Sequence, residues 1–222
     1  MATVRKVKRK SFKEDRLVTY ALKVSGYAQE HFNQVIIAVG VLIVAIAVIV
    51  LMANSRRSSA AQAQRQLAQG MGLYQQGDFE AAKTTFKQLS QRYGGRDGVI
   101  AKYYTAECEL AQRNHSEALK NFQAYLDGAS KFPTFRVAAR YGIGLCYAGL
   151  GNYAEAAAAM EQVVRETDQK DPRHMDGAYH AGEFFFQADQ RQKAAEYFRI
   201  VADKGTGVLK ERANSAVAFL AE

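Results

Sequence analysis

Four ten-residue stretches repeat along the chain: GDFEAAKTTF at 77–86, RNHSEALKNF at 113–122, GNYAEAAAAM at 151–160 and DQRQKAAEYF at 189–198. Their alanines, Ala82, Ala118, Ala156 and Ala194, are spaced by 36, 38 and 38 residues. Four places beyond each lies a large residue, Phe86, Phe122, Met160 or Phe198, and twelve places before each lies a small one, Gly70, Ala106, Gly144 or Gly182. A fixed period with small residues at two matched places predicts stacked helical hairpins. A small residue on each helix lets the two backbones approach, and the large residue one turn further on fills the space beside the contact. Turns such as Gln76-Gly77-Asp78 and Leu150-Gly151-Asn152 supply the tight connection. One hairpin cannot cover its own apolar faces, so hairpins must stack. The chain has two prolines and, after residue 52, no long alternating Val/Ile/Thr runs, which argues against a sandwich or barrel.

A second feature stands upstream of the repeats. Residues 35–53 read VIIAVGVLIVAIAVIVLMA, with no charge and no side-chain amide. As a helix this run is roughly 28 Å long, close to the hydrocarbon thickness of a bilayer. A core helix so apolar would need a larger protein around it. A cleaved signal peptide has a shorter apolar stretch and a small-x-small cleavage site, whereas here 34 residues precede the run and the junction LMANSRR places Leu51 where a small residue is wanted, so an uncleaved signal anchor is the expectation.

Charge sharpens the division. Residues 1–57 hold ten Lys and Arg against Glu14, Asp15 and Glu30, which is +7 of the net +8; the rest carries 20 basic and 19 acidic residues. The repeat region therefore lacks the basic surplus that a phosphate backbone selects, and no nucleic-acid partner is expected. The basic cluster from Arg5 to Lys13 favours a cytoplasmic N-terminus, although Arg56, Arg57 and Arg65 beyond the run balance Arg16 and Lys23 close to it. The expected location is a bacterial inner membrane, single-pass, with the repeats in the periplasm. Ser11 and Glu14 form a capping box, and Leu17, Tyr20, Val24, Tyr27 and Phe32 recur at helical spacing after it. Such a helix either lies on the anionic inner leaflet or serves only as the basic flank of the anchor.

The expected organisation is a basic cytoplasmic segment over 1–34, a transmembrane helix over 35–53, a linker over 54–62 and an all-α solenoid over 63–222. Its repeats fall near 63–96, 99–132, 137–170 and 175–208, with a capping helix over 209–222. Pro133 and Pro172 mark turns between repeats.

These residues resemble the tetratricopeptide repeat: matched small residues, a Gly-Asp/Asn-Tyr/Phe turn and an aromatic one turn after the second small residue. The resemblance covers about residues 63–208. It departs where the family has Trp, since Gln66, Lys102, Arg140 and Ala178 stand there. It implies that the first helix of each hairpin lines a groove in which partners bind. Carried onto this chain, the groove residues are Leu67, Met71 and Tyr74; Tyr103, Glu107 and Leu110; Tyr141 and Leu145; and Tyr179, Glu183 and Phe186. Tyr103, Tyr141 and Tyr179 recur at equal spacing and would form a ladder; phenols offer apolar area with a polar tip, which suits peptide binding. The alternative is that they only pack between neighbouring helices.

Signals for chemistry are weak. Cys108 and Cys146 occupy equivalent places on successive first helices, about 8–10 Å apart by helix packing, beyond the roughly 7 Å that a disulfide spans between Cα atoms; two buried free thiols are expected. His174 and His180 do not share a helical face, and no cysteine accompanies them, so no metal site is expected. Gly142, Gly144 and Gly149 echo a dinucleotide loop, but no strand precedes them. No nucleophile motif, phosphate loop or acid pair appears, so neither catalysis nor a cofactor nor a small-molecule substrate is expected.

A short basic segment, one span and this repeat domain are similar to the YfgM-like family of ancillary subunits of the bacterial Sec translocon. The resemblance implies a non-enzymatic protein beside the translocon, working with a membrane-anchored periplasmic chaperone on emerging polypeptides. The runner-up is a scaffold of another envelope biogenesis or secretion complex that docks a folded partner. A third reading is an enzyme subunit whose repeats only position a catalytic partner.

Overall fold

The computed structural model describes residues 31–129 and 132–221. The helix expected after the Ser11–Glu14 capping box and the basic cluster from Arg5 to Lys13 lie outside them. Every regular element among the described residues is helical: α1 (Phe32–Gln75), α2 (Phe79–Arg92), α3 (Gly95–Ala111), α4 (His115–Gly128), a 3₁₀ turn (Pro133–Phe135), α5 (Arg136–Gly149), α6 (Tyr153–Glu166), α7 (Pro172–Gln187), α8 (Arg191–Lys204) and α9 (Gly207–Leu220).

The chain divides into two units at Ser58–Ser59. In the first, α1 carries the apolar run, with Ile37, Leu42, Ile49 and Leu51 exposed along it. By length and composition this helix can cross a membrane. Residues 54–62, expected as a linker, are helical too. Their sequence, NSRRSSAAQ after Ala53, holds neither Gly nor Pro, so nothing in it stops a helix.

In the second unit each of the helices α2–α9 packs on its neighbours in sequence, and contacts that skip an element are sparse. The repeat spacing explains how the hairpins close. Ala82, Ala118, Ala156 and Ala194 are all fully buried. A Cβ on Gly70 would stand 2.5 Å from the Phe86 ring, one on Gly144 2.8 Å from Met160 Cε, and one on Gly182 2.9 Å from the Phe198 ring. Each large residue thus lies over the glycine sixteen places before it, as the spacing predicts. The second hairpin carries Ala106 instead, and there the Phe122 ring tip also packs on Gly142 of α5. Phe86 lies in one core cluster, Phe122 in a second, and Met160 and Phe198 together in a third.

The four hairpin turns are alike. In each, two successive N–H groups reach back to the end of the first helix: Gly77 to Tyr74 O and Asp78 to Leu73 O, Arg113 to Leu110 O and Asn114 to Glu109 O, Gly151 to Ala148 O and Asn152 to Tyr147 O, Asp189 to Phe186 O and Gln190 to Phe185 O. This satisfies carbonyls that a helix end leaves without partners. The turn requires a left-handed residue. Gly77 (φ 80°) and Gly151 (φ 81°) supply it easily, whereas Arg113 (φ 61°) and Asp189 (φ 59°) adopt it against their side chains.

The longer joints between hairpins have their own fastenings. The buried Tyr125 hydroxyl donates to Phe132 O (3.1 Å) and accepts from Phe135 N–H (2.9 Å), tying the Pro133 turn to α4. Pro172 begins α7, where its missing N–H costs nothing, and Asp171 caps that helix by accepting from Arg173 N–H. Glu109, 3% exposed, is held by Lys87 (3.2 Å), Lys83 (3.8 Å) and Asn114 (3.0 Å). Glu166 is held by Arg140 (3.1 Å) and Arg136 (3.5 Å).

Candidate partner-binding groove

The residues expected to line the groove fall into two groups. In the first, α1 supplies Leu67, Met71 and Tyr74, half-buried against the first core layer, and α3 supplies Tyr103, Glu107 and Leu110. The phenols of Tyr74 and Tyr103 both face the Glu107 carboxylate. Tyr103 is 8% exposed, its ring stacked on Phe135 at 4.6 Å and set edge-on to Tyr104 and Tyr125. Burial raises the Glu107 carboxyl above its ordinary pKa, and the two phenols only partly offset this. Burial followed by the Glu107 charge pushes Tyr74 up to about 12 and Tyr103 higher still.

In the second group α5 supplies Tyr141 and Leu145, and α7 supplies Tyr179, Glu183 and Phe186. Tyr141 and Tyr179 stand edge-on to the same ring, His180, at 5.8 and 5.9 Å. His180 stacks on Phe184 (5.7 Å), and its Nδ1 lies 2.8 Å from Glu183 Oε2. The Tyr179 phenol faces Glu183 as well. Burial pushes the Tyr141 phenol up to about 12. Phe186 meets Phe219 of α9 edge-on at 6.0 Å, and a cavity of about 470 Å³ opens beside them.

Among the described residues the three tyrosines do not make one continuous ring series. Phe135, delivered by the 3₁₀ turn, takes the face of Tyr103, and His180 separates Tyr141 from Tyr179. Each acidic residue carried by a first helix in the groove register, Glu107 or Glu183, instead faces tyrosine phenols, and Glu183 pairs with His180. The sequence reading did not find Tyr104, Phe135, His180, Phe184 or Phe219, which complete these clusters. Only the local density of aromatic residues around 103–104 and 184–186 hinted at them.

The site suits binding better than reaction. Its phenols stay protonated through neutral pH, so they donate hydrogen bonds and do not act as nucleophiles. Cys108 and Cys146 are free and fully buried, and burial pushes both thiols up to about 12. Among the described residues no cluster of three or more His, Cys, Asp or Glu side chains could hold a metal ion.

The tetratricopeptide repeat family model matches residues 67–133 and 141–207, more than half of the chain. The chain belongs to the tetratricopeptide repeat family. Solved structures share the fold. A tetratricopeptide repeat protein from Parabacteroides merdae superposes with a TM-score of 0.59 at 16% identity, covering 72% of this chain and 60% of that one. A putative kinesin light chain with nearly identical repeats, from Podosopora anserina, gives 0.58 at 16%, covering 71% and 84%. MamA from Desulfovibrio magneticus gives 0.54 at 23%, covering 68% and 76%. No curated protein sequence matches the chain significantly. Tetratricopeptide repeat domains bind other proteins, and the fold makes this chain a protein-interaction scaffold.

Proposed function

We propose that this protein is a membrane-anchored, non-enzymatic scaffold of the bacterial cell envelope that binds segments of partner polypeptides on its first-helix face. The observation that carries the binding part is the pair of carboxylates, Glu107 and Glu183, each set among phenols and apolar side chains. Such a surface offers apolar area and hydrogen-bond groups together, which an extended peptide can use. The apolar first half of α1 supports the anchoring part, and the excess of Lys and Arg before it supports a cytoplasmic N-terminus with periplasmic repeats.

Within that setting the resemblance to the YfgM-like subunits favours a place beside the translocon and its periplasmic chaperone. Tyr141 and Tyr179, with Leu67, Met71, Tyr74, Leu110, Leu145 and Phe186, are the proposed contact residues; Tyr103 is buried beneath Phe135. A scaffold that docks a folded partner on the opposite face is the second reading.

Crosslinking in the native membrane, followed by affinity purification and mass spectrometry, tests the assignment. Translocon subunits and a periplasmic chaperone are the expected recoveries. A different envelope complex would replace the translocon reading, and cytoplasmic proteins alone would overturn the topology as well. Alkaline extraction should leave the full-length chain in the membrane; release of a shortened chain would mean that the apolar run is a cleaved signal sequence. Replacing Tyr141 and Tyr179 by Ala should weaken capture of unfolded peptide by about tenfold or more, whereas a folded partner on the opposite face would be unaffected.

A further inference from the structure

The carboxylates of the repeat domain differ in how they are neutralised. Glu109 and Glu166, the half-buried or buried acids between helices, each face two cationic side chains of the chain itself. Glu183 does not. Its side chain is 40% exposed, its contacts are His180 and the Tyr179 hydroxyl, and among the described residues no Lys or Arg forms an ion pair with it. Arg212 of α9 acts on the Tyr179 hydroxyl but does not line the adjacent cavity.

That cavity, about 470 Å³ between α7 and α9, has Glu183 in its wall together with Tyr179, Phe184, Phe186, Phe198 and Phe219. Its volume lies in the lower part of the roughly 300–1,000 Å³ range of small-ligand sites, enough for one long side chain and its flanking backbone. A negative group among aromatic faces is complementary to a cation that also carries apolar area. Arginine fits this better than lysine, because its planar guanidinium stacks on rings and is more weakly hydrated than an ammonium, so less is lost when water leaves. We infer that the cavity between α7 and α9 receives an arginine side chain of the bound polypeptide, the guanidinium on Glu183 and its plane against the surrounding rings. The inference rests on the peptide-binding reading above and adds to it a specificity: bound segments carry an arginine at the place that meets the last repeat.

Fluorescent decapeptides of one fixed sequence, with Arg, Lys, citrulline or Leu at the central position, test this against the full-length protein in detergent micelles by anisotropy. Citrulline keeps the shape of arginine and removes its charge. The Arg peptide should bind about tenfold more tightly than the citrulline peptide, with Lys between them. Glu183→Gln should abolish that advantage, so that the Arg and citrulline peptides bind alike. Phe219→Ala, at a side chain 60% exposed, should reduce it without unfolding risk. Equal affinity for Arg and citrulline, or an advantage that survives both substitutions, would overturn the arginine site and leave the peptide-binding reading standing. Failure of all four peptides to bind would overturn both.

Discussion

Arg113 and Asp189 hold a left-handed backbone that Gly77 and Gly151 hold in the equivalent turns. A side chain in that region costs about 1–2 kcal/mol, and glycine gives back about 0.5–1 kcal/mol in chain entropy. Arg113→Gly should therefore stabilise the protein by about 0.5–1 kcal/mol in urea denaturation, and Gly77→Ala should destabilise it by about 1 kcal/mol. Glu107 provides a second test. Burial makes its folded-state pKa higher than in the unfolded chain, so the fold favours the neutral acid. The stabilisation this brings is complete below the ordinary value of 4.5 and is lost as pH rises through the raised one. Glu107→Gln should therefore melt at a higher temperature than the native chain at pH 7.5, the difference shrinking to nothing near pH 4; a difference that grows on acidification would refute the assignment.

The hairpin is the element on which these details converge, and its closure depends on which residue faces the glycine. At Gly182 an added methyl group meets the rigid Phe198 ring, itself 4% exposed. At Gly144 the nearest atom is the mobile end of Met160. Overpacking costs about 1–3 kcal/mol, against about 1 kcal/mol of gained helix propensity. Gly182→Ala should lose about 1–2 kcal/mol, and Gly144→Ala should stay within about 0.5 kcal/mol of the native chain by thermal or chemical melts. This pairing was readable in the sequence because its two members recur at one fixed offset, set by helix geometry. The aromatic clusters were not, because Phe135 and Phe219 come from a 3₁₀ turn and a capping helix that have no counterpart in every repeat. Register told which residues share a face; it could not tell that Phe135 would cover Tyr103, or that His180 would stand between two tyrosines expected to follow one another. Residues 54–62 went the same way: a linker is the expectation between the apolar run and the first repeat, while the absence of Gly and Pro lets the helix run on.

Across the whole molecule, stability is a matter of neighbours, since contacts that skip an element are few. The helix α9 closes the series by covering Ala178 and Val201 with Ala213, Leu209 alongside. Removing residues 207–222 should strip hydrogen-exchange protection from α7 and α8 first while α2 and α3 keep theirs; uniform loss across all helices would mean that the array folds as one unit. The two cysteines give that gradient a reporter already in place. Cys108 and Cys146 are sealed at matching sites in adjacent repeats, and a thiol so far from ionising is inert while it stays covered. An alkylating reagent can reach either one only when its own repeat opens. The unmodified protein thus carries two clocks, and the ratio of their labelling rates reads the order in which the middle of the array comes apart.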